Sequence, residues 1–260
     1  MKEEKTQKPL ILVANDDGIT APGLRALIAV MNEFGEVVVV APDGPQSGMG
    51  HAITLNSALR CDKVHIDDGP QEEYSCSGTP VDCVKLAVNK ILKRKPDLCV
   101  SGINHGSNSS INVIYSGTMS AALEGALEGI PSIGFSLLDY AHDADFSASK
   151  EVVRKLVAHV LEEGLPEGSC LNVNIPKLPS EEIQGIRVCR QANANWVEEF
   201  DERKDPAGRT YYWLTGTFQN YDHGEDTDEW ALANGYVSVV PVQYDVTAHH
   251  VIPILNKWTL

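Results

Sequence analysis

Two short, uninterrupted apolar runs near the start of the chain constrain its fold most strongly. They are LILVA at residues 10–14 and VVVVA at 37–41, and apolar residues at helical spacing lie between them. A strand without alternating polar residues is buried on both faces, which is typical of a parallel sheet covered by helices on both sides. This part of the chain therefore predicts a βαβ unit in an α/β protein.

The alternation of strands and helices continues along the chain. We predict further strands at residues 97–100, 131–136 and 170–175, and helices beginning near residues 80, 119 and 147. After residue 186 the pattern becomes β-rich, and segments 211–214 and 216–218 predict a hairpin-like excursion. The predicted fold is a doubly wound, mostly parallel sheet with a Rossmann-like three-layer core, followed by a C-terminal β-hairpin and tail.

The charge and cysteine content exclude several classes of protein. The 260 residues include 36 acidic and 21 basic side chains, and the resulting net charge of −15 repels nucleic-acid phosphates and anionic lipid surfaces. We therefore expect no binding to duplex nucleic acid or to membranes. Six scattered cysteines without a C-x-x-C pair, no export signal and no run of about 18 apolar residues predict a cytoplasmic protein.

Four oxygen-bearing side chains follow predicted strands of the sheet. Asp16 and Asp17 come directly after the first strand, Ser47 lies in the loop after the second, and Asn104 follows a later one. The carboxyl ends of parallel strands meet at one edge, and adjacent carboxylates raise each other's proton affinity unless a cation compensates. Two carboxylates, a hydroxyl and an amide suit Mg²⁺ or Mn²⁺. The alternative is an ordinary Asp-Asp-Gly turn with loop-capping hydrogen bonds.

A second group of residues is typical of an anion site. Ser116, Gly117 and Thr118 precede an alanine-rich helix, whose first backbone N–H groups and positive dipole end attract negative charge. Asn108 can add a side-chain amide to the same region. Together they predict a phosphate site next to the metal. An ordinary serine or threonine N-cap explains the same pattern without a ligand.

Several other residues are assigned structural roles. His105 is a candidate acid for a leaving group, but a loop histidine that faces solvent is the favoured interpretation. Adjacent histidines such as His249 and His250 point apart, so we do not expect a metal pair there. We expect Glu124 and Glu128, which share a helical face, to meet solvent or a subunit boundary. Cys83 and Cys99 are predicted core residues.

Six separated segments together resemble the SurE family of survival-protein nucleotidases. They are NDDG at residues 15–18, APG at 21–23, APD at 41–43, GTPVDC at 78–83, SGIN at 101–104 and YSGT at 115–118. The resemblance is strong over residues 10–136 and continues through DTD at 226–228 and NGYVS at 234–238, whereas the charged stretch 198–205 departs from it. Several ordered motifs are far more specific than any one of them.

The resemblance implies a phosphomonoesterase that hydrolyses nucleoside monophosphates, a 5'-nucleotidase, and leaves 3'-nucleotidase and exopolyphosphatase activities open. It implies one divalent cation per subunit, Mg²⁺ or Mn²⁺, on Asp16, Asp17, Ser47 and Asn104. Asp16, Asp17 and Asn108 are the catalytic candidates, with Asn108, Ser116, Gly117 and Thr118 around the phosphate.

The resemblance also implies a homodimer or homotetramer in which C-terminal elements are exchanged. We accordingly divide the chain into a flexible N-terminus (1–9), an α/β catalytic core (10–185) and C-terminal strands, hairpin and tail (186–260). The last part is expected to complete the core and form the oligomer interface.

A receiver-like phospho-acceptor module is the alternative function. Paired acids after the first strand of a doubly wound domain also describe that module. It requires a third acid at the end of the middle strand, where this chain has Ser101 and Asn104. Glycine-rich dinucleotide-binding and P-loop motifs are absent from the sequence.

Overall fold

The computed structural model describes residues 8–259. Most of the predicted flexible N-terminus, residues 1–9, lies outside the described residues. Among residues 8–259, no helix combines the length and apolar character needed to cross a membrane.

A nine-stranded sheet forms the centre of the molecule, and a separate two-stranded hairpin extends from it. The strands are β1 (Leu10–Ala14), β2 (Glu36–Pro42), β3 (Cys61–Val64), β4 (Glu72–Cys76), β5 (Leu98–His105), β6 (Ser132–Leu137), β7 (Ser169–Ile175), β8 (Gly185–Val188), β9 (Ala194–Lys204), β10 (Thr210–Asn220) and β11 (Tyr236–Gln243). The order across the large sheet is β3-β4-β2-β1-β5-β6-β7-β11-β8. Only the β3–β4 and β7–β11 pairs of this sheet are antiparallel. The predicted mostly parallel, doubly wound sheet is confirmed.

Helices cover both faces of the sheet. They are α1 (Pro22–Met31), α2 (Pro80–Leu86, continued by a π-helical turn at Ala87–Ile91), α3 (Gly117–Leu127), α4 (Ser147–Glu163), α5 (Asp228–Ala233) and α6 (Ile252–Leu255). Alternate residues of β1 point to opposite faces: Ile11 and Val13 pack with α1 and α4, whereas Leu12 and Ala14 pack with α2 and α3. The uninterrupted apolar run of β1 is thus explained, because each face of the strand meets a helical layer.

The strand that carries Asn104 is longer than predicted. Residues 101–105 belong to β5 rather than to a loop, and the pairing with β6 is interrupted by a register shift between Ser101 and Asn104. Gly102 adopts a φ of 121°, and a Cβ there would lie 2.3 Å from the Phe135 carbonyl oxygen. This glycine allows a bulge within the strand. The segment was predicted to be a loop because its sequence is polar and rich in glycine.

The C-terminal hairpin is also arranged differently from the prediction. Both predicted segments, 211–214 and 216–218, lie on the single strand β10. Its partner is β9, which contains most of the charged stretch 198–205, for which no strand was predicted. Both strands are exposed along most of their length, so β9 lacks the apolar alternation that identifies a half-buried strand. The strand β11, by contrast, inserts into the main sheet between β7 and β8.

Candidate functional site

The carboxylate of Asp16 lies against the beginning of α3. Asp16 is only 4% exposed, and the Thr118 hydroxyl donates a hydrogen bond of 2.5 Å to its Oδ1. A Cβ on Gly117 would lie 2.6 Å from the Asp16 Cβ, so only glycine permits this approach of helix to strand. The end of β1 and the first turn of α3, about 100 residues apart in sequence, therefore form one site.

Asp17 and Asn104 are brought together by the pairing of β1 with β5. The backbone N–H of His105 donates to Asp17 Oδ2 at 3.3 Å. The Asn104 side-chain nitrogen donates to the carbonyls of His105 and Gly106, at 3.2 and 3.0 Å. Two carbonyl acceptors fix the orientation of this amide, and its Oδ1 is the atom left to bind a cation.

The loop that carries Ser47 is attached to both halves of the site. The Gln46 N–H donates to the Asp16 carbonyl at 2.7 Å, and the Gly50 N–H donates to the Tyr115 carbonyl at 3.1 Å. Ser47 itself is exposed within this loop. The fold therefore brings the loop with the fourth predicted ligand to the edge where the two aspartates and Asn104 lie.

The electrostatics of the aspartate pair fit a cation. Burial raises the pKa of Asp16 to about 6; the Thr118 hydrogen bond opposes this shift, and the charge of Asp17 adds to it. Burial also raises the pKa of Asp17, against the N–H of His105. None of the ion pairs formed within residues 8–259 involves either aspartate. The positive end of α3 offsets only part of this negative charge.

The donor chemistry limits which metal suits the site. Within the described part of the chain, no group of three or more His, Cys, Asp or Glu side chains is placed to hold a metal ion. A metal at the aspartate pair would therefore rely on neutral oxygen ligands such as Asn104 and Ser47. This set of hard oxygen donors fits Mg²⁺ or Mn²⁺ and does not favour Zn²⁺.

The predicted phosphate residues have structural contacts of their own. Ser116 is the N-cap of α3, and its Oγ accepts from the Met119 N–H at 3.0 Å. Thr118 is fully buried, and its hydroxyl is used by Asp16. The Asn108 amide donates to the Ser136 hydroxyl at 2.7 Å. The N-cap interpretation of Ser116 is therefore observed, and Thr118 orients Asp16 through its side chain.

Sequence reasoning missed the buried amides that hold Asn108. Asn174 Oδ1 accepts from the Asn108 N–H at 2.8 Å, and the Asn172 side chain donates to the Asn108 carbonyl at 2.8 Å. Polar residues two apart in the apolar strand β7 share a face, and this spacing was the available signal. Asp228 likewise accepts from the Ser110 N–H at 2.7 Å, but no sequence pattern links residues so far apart.

Glu124 was predicted to meet solvent or a subunit boundary, but it is buried. It is 1% exposed and pairs with Lys85 at 2.5 Å and His51 at 2.9 Å. Burial alone would raise the pKa of Glu124, but hydrogen bonds from these two partners outweigh it and leave the pKa lowered. Glu128, one turn later, is half-buried at the C-cap of α3. Glu124 and Glu128 thus have different environments, although they share one face of the helix.

The remaining predicted residues have simple surroundings. The His105 ring is half-buried and packs edge-on against Phe146, with the two ring centroids 5.2 Å apart. The prediction of a histidine that faces solvent is therefore wrong. His249 pairs with Asp245 at 2.7 Å on the surface. Cys83 and Cys99 are fully buried, and their predicted core positions are confirmed.

Comparisons with known proteins agree with these motifs. The family model for survival protein SurE matches residues 11–198. Proteins called 5'-nucleotidase SurE from Flavobacterium psychrophilum and Flavobacterium johnsoniae are 68% and 67% identical, over 97% and 98% of this chain and 98% and 99% of theirs. The crystal structure of the SurE protein from Aquifex aeolicus aligns with a TM-score of 0.83 and 42% identity, over 95% of this chain and 98% of that one. The receiver-like alternative is therefore not supported, and the chain belongs to the SurE family.

Proposed function

We propose that this protein is a divalent-metal-dependent phosphomonoesterase that hydrolyses nucleoside 5'-monophosphates to nucleoside and phosphate. The observation that carries the proposal is the buried Asp16–Asp17 pair beside the first turn of α3, in a chain of the SurE family. Its relatives with 66–68% identity bear the name 5'-nucleotidase SurE.

The residues of the aspartate edge fit one divalent cation per subunit. Asp16, Asp17, Asn104 and Ser47 would hold it, and the hard oxygen donors favour Mg²⁺ or Mn²⁺. When bound, such a cation supplies Lewis-acid polarisation of the phosphate and lowers the pKa of a water molecule. The pairing of β1 with β5 supports this assignment, because it brings Asp17 to the strand end that carries Asn104.

The protein's own groups would bind and orient the phosphate. The N-terminus of α3 faces the aspartate edge, and the Gly117 N–H belongs to the first turn, where backbone N–H groups have no preceding carbonyl of the helix to donate to. Ser116 and Asn108 are held in place by the Met119 N–H and by Ser136. Donors fixed in this way stabilise charge on the phosphate without reorganising. Either aspartate could accept a proton from the attacking water.

An assay of metal and substrate dependence tests this function. Phosphate release from 5'-AMP, 5'-GMP, 5'-CMP and 5'-UMP, and from 3'-AMP and polyphosphate, is measured with Mg²⁺, Mn²⁺ or EDTA. We expect hydrolysis of 5'-monophosphates that EDTA abolishes and that Asp17→Asn lowers by at least about 100-fold. Asp68→Asn, a fully exposed acid on another loop, is the control and should retain full activity. Activity unaffected by EDTA and Asp17→Asn would disprove the proposal.

We further propose that the C-terminal part of the chain builds a homodimer or homotetramer by exchange between subunits. Large apolar side chains on the hairpin are exposed, including Phe200 (65%), Trp213 (58%) and Leu214 (62%). In our division of the chain, residues 10–185 form the catalytic core, and the C-terminal part completes its sheet with β11 and all but the first residue of β8. Light scattering of the intact protein and of a variant without residues 197–217 tests this, because the variant should be monomeric.

We also place the protein in the cytoplasm. The support is chemical: its six cysteines are all free, and five of them are buried. Reduced thiols are the rule in that compartment. Fractionation of the producing cell, with a periplasmic enzyme as marker, would refute this if the protein accompanied the marker.

A further inference from the structure

Three cysteines lie together at the β3 edge of the sheet. Cys61 is on the edge strand β3, Cys76 ends the neighbouring strand β4, and Cys83 is in the first turns of α2. All three belong to the apolar cluster between the sheet and the α2–α3 layer. Nothing in the proposed nucleotidase function uses these thiols.

The strand register places Cys61 directly opposite Cys76. The two residues are partners in the antiparallel β3–β4 pairing. The Cys76 carbonyl accepts from the Asp43 N–H at 2.8 Å, on the side of β4 away from β3, and the next pair is joined by the Ser77 N–H and the Arg60 carbonyl at 2.9 Å. Cys61 and Cys76 therefore form a non-hydrogen-bonded pair, in which side chains approach most closely.

This position has the geometry of a cross-strand disulfide. Residues in a non-hydrogen-bonded pair have Cα atoms about 4.5 Å apart, within the range of roughly 4.4–6.8 Å found for disulfides. Directly opposite side chains also point to the same face of the sheet. A bond between the two sulfurs would thus require little movement of either strand.

The three thiols have unequal acidity. A hydrogen bond from the Cys83 thiol lowers the pKa of Cys76 to about 7; burial opposes this shift, and the Gly78 N–H and the Cys61 thiol support it. The carboxylate of Asp82 acts against the Cys76 thiolate. Burial and the neighbouring Cys76 raise the pKa of Cys61 to about 11. Cys76 is therefore the nucleophile of the cluster, and Cys61 is the thiol placed to resolve it.

We propose that Cys61 and Cys76 form a reversible disulfide when the protein meets a hydroperoxide. The Cys76 thiolate attacks one peroxide oxygen, the O–O bond breaks, and the leaving alkoxide or hydroxide takes up a proton, which gives a sulfenic acid on Cys76. The sulfur of Cys61 then attacks the sulfur of Cys76 and displaces the hydroxyl group, which leaves as water with the Cys61 proton. Two thiols lose two electrons, and the peroxide gains them.

Access to the site comes from its place at the edge of the sheet. Cys76 is fully buried, but Cys61 is half-exposed on a four-residue strand that pairs on one side only. Short edge strands open locally at low cost, and a peroxide is small. A small dithiol such as dithiothreitol reverses the bond by thiol–disulfide exchange.

Peptide mapping of the intact protein tests the proposal. The protein is treated with hydrogen peroxide at pH 7, blocked with N-ethylmaleimide and digested with trypsin without reduction. We expect residues 61–63 linked to residues 64–85, two hydrogens lighter than the separate peptides, with Cys83 alkylated and the link lost after dithiothreitol. A Cys76–Cys83 loop, first oxidation at Cys189, or no link would overturn the proposal.

Two matched variants separate the role of Cys83 from general damage to the core. Cys83→Ala removes the hydrogen bond to Cys76, so the thiolate fraction falls and link formation should slow by about fivefold. Cys99→Ala removes another fully buried thiol of the same apolar cluster and should leave the rate unchanged. Equal slowing in both would contradict the assignment. Cys61→Ser should abolish the link and leave a sulfenic acid on Cys76 that dimedone labels.

Discussion

Substitution of Gly117 by alanine is expected to separate activity from stability. The added Cβ would lie 2.6 Å from the Asp16 Cβ and 2.9 Å from its Oδ2. An ordinary contact between carbon atoms is about 3.6 Å, so helix and aspartate must move apart by about 1 Å. The Asp16 Cβ is fixed to the backbone of β1, and it cannot rotate away as the end of a long side chain would.

The effect on stability should be small. Overpacking costs about 1–3 kcal/mol, and replacing glycine by alanine within a helix returns about 0.5–1 kcal/mol. The net loss is about 0–2.5 kcal/mol, which corresponds to a fall in melting temperature of at most several degrees. The activity should fall far more, by about 100-fold in kcat/KM, because a shift of about 1 Å in a reacting group can cost that much.

The assay compares kcat/KM for a 5'-monophosphate with Mn²⁺ and the melting temperature of the same preparation. Gly44→Ala is the control, because a Cβ at Gly44 meets nothing within 4 Å, and this variant should retain its activity within twofold. Activity of Gly117→Ala within threefold of the wild type would refute the reasoning. An equal loss in the Gly44 variant would also refute it.

Three further changes have defined outcomes. Thr118→Val removes the hydroxyl that holds Asp16 and should raise the Mn²⁺ concentration for half-maximal activity by about 10-fold to 100-fold, measured by metal titration. Glu124→Gln should lower the free energy of unfolding at pH 7 by about 1–3 kcal/mol in urea denaturation, because it leaves Lys85 without a counter-charge and weakens the hydrogen bond with His51. Asn174→Leu should cost about 1–3 kcal/mol by the same measurement, since the Asn108 N–H loses its acceptor.

The Glu124 prediction also has a pH dependence. The folded-state pKa of Glu124 is lowered, so its contribution to stability is present above the ordinary glutamate pKa of 4.5 and is lost as the pH falls through the folded-state value. The wild type should therefore lose more stability than Glu124→Gln between pH 6 and pH 3. Parallel losses in the two proteins would contradict this. For Thr118→Val and Asn174→Leu, unchanged metal affinity and unchanged stability are the contradicting results.

The sequence predicted the layers of the fold well, because each apolar strand had one physical explanation. A run such as residues 10–14 is stable in water only between two helical layers. The charged strand β9 was not predicted, because it is exposed on both faces and its pairing with β10 leaves no apolar pattern. Polar pairs between helices, such as Glu124 of α3 with Lys85 of α2, depend on tertiary contacts that no local spacing encodes.

The positions of the predicted metal ligands could be inferred from the sequence because the topology of a parallel sheet determines them. Asp16 and Asp17 follow β1, Asn104 lies near the end of the neighbouring parallel strand β5, and strand ends of a parallel sheet meet at one edge. The role of Thr118 was not predictable, because a hydroxyl at the start of a helix can face a ligand or a neighbouring strand. Its contact with Asp16 depends on the close approach that Gly117 permits.

The insertion of β11 between β7 and β8 has a consequence for how the chain is made. The partner of β7 on this side is encoded roughly 70 residues later, so a chain emerging from the ribosome at 5–20 residues per second leaves that edge uncovered for about 3–14 s. During this interval, the backbone N–H and C=O groups on this edge of β7 are unpaired and can form hydrogen bonds with any other extended segment. Nascent chains thus remain open to mispairing at this edge until β11 has been synthesised.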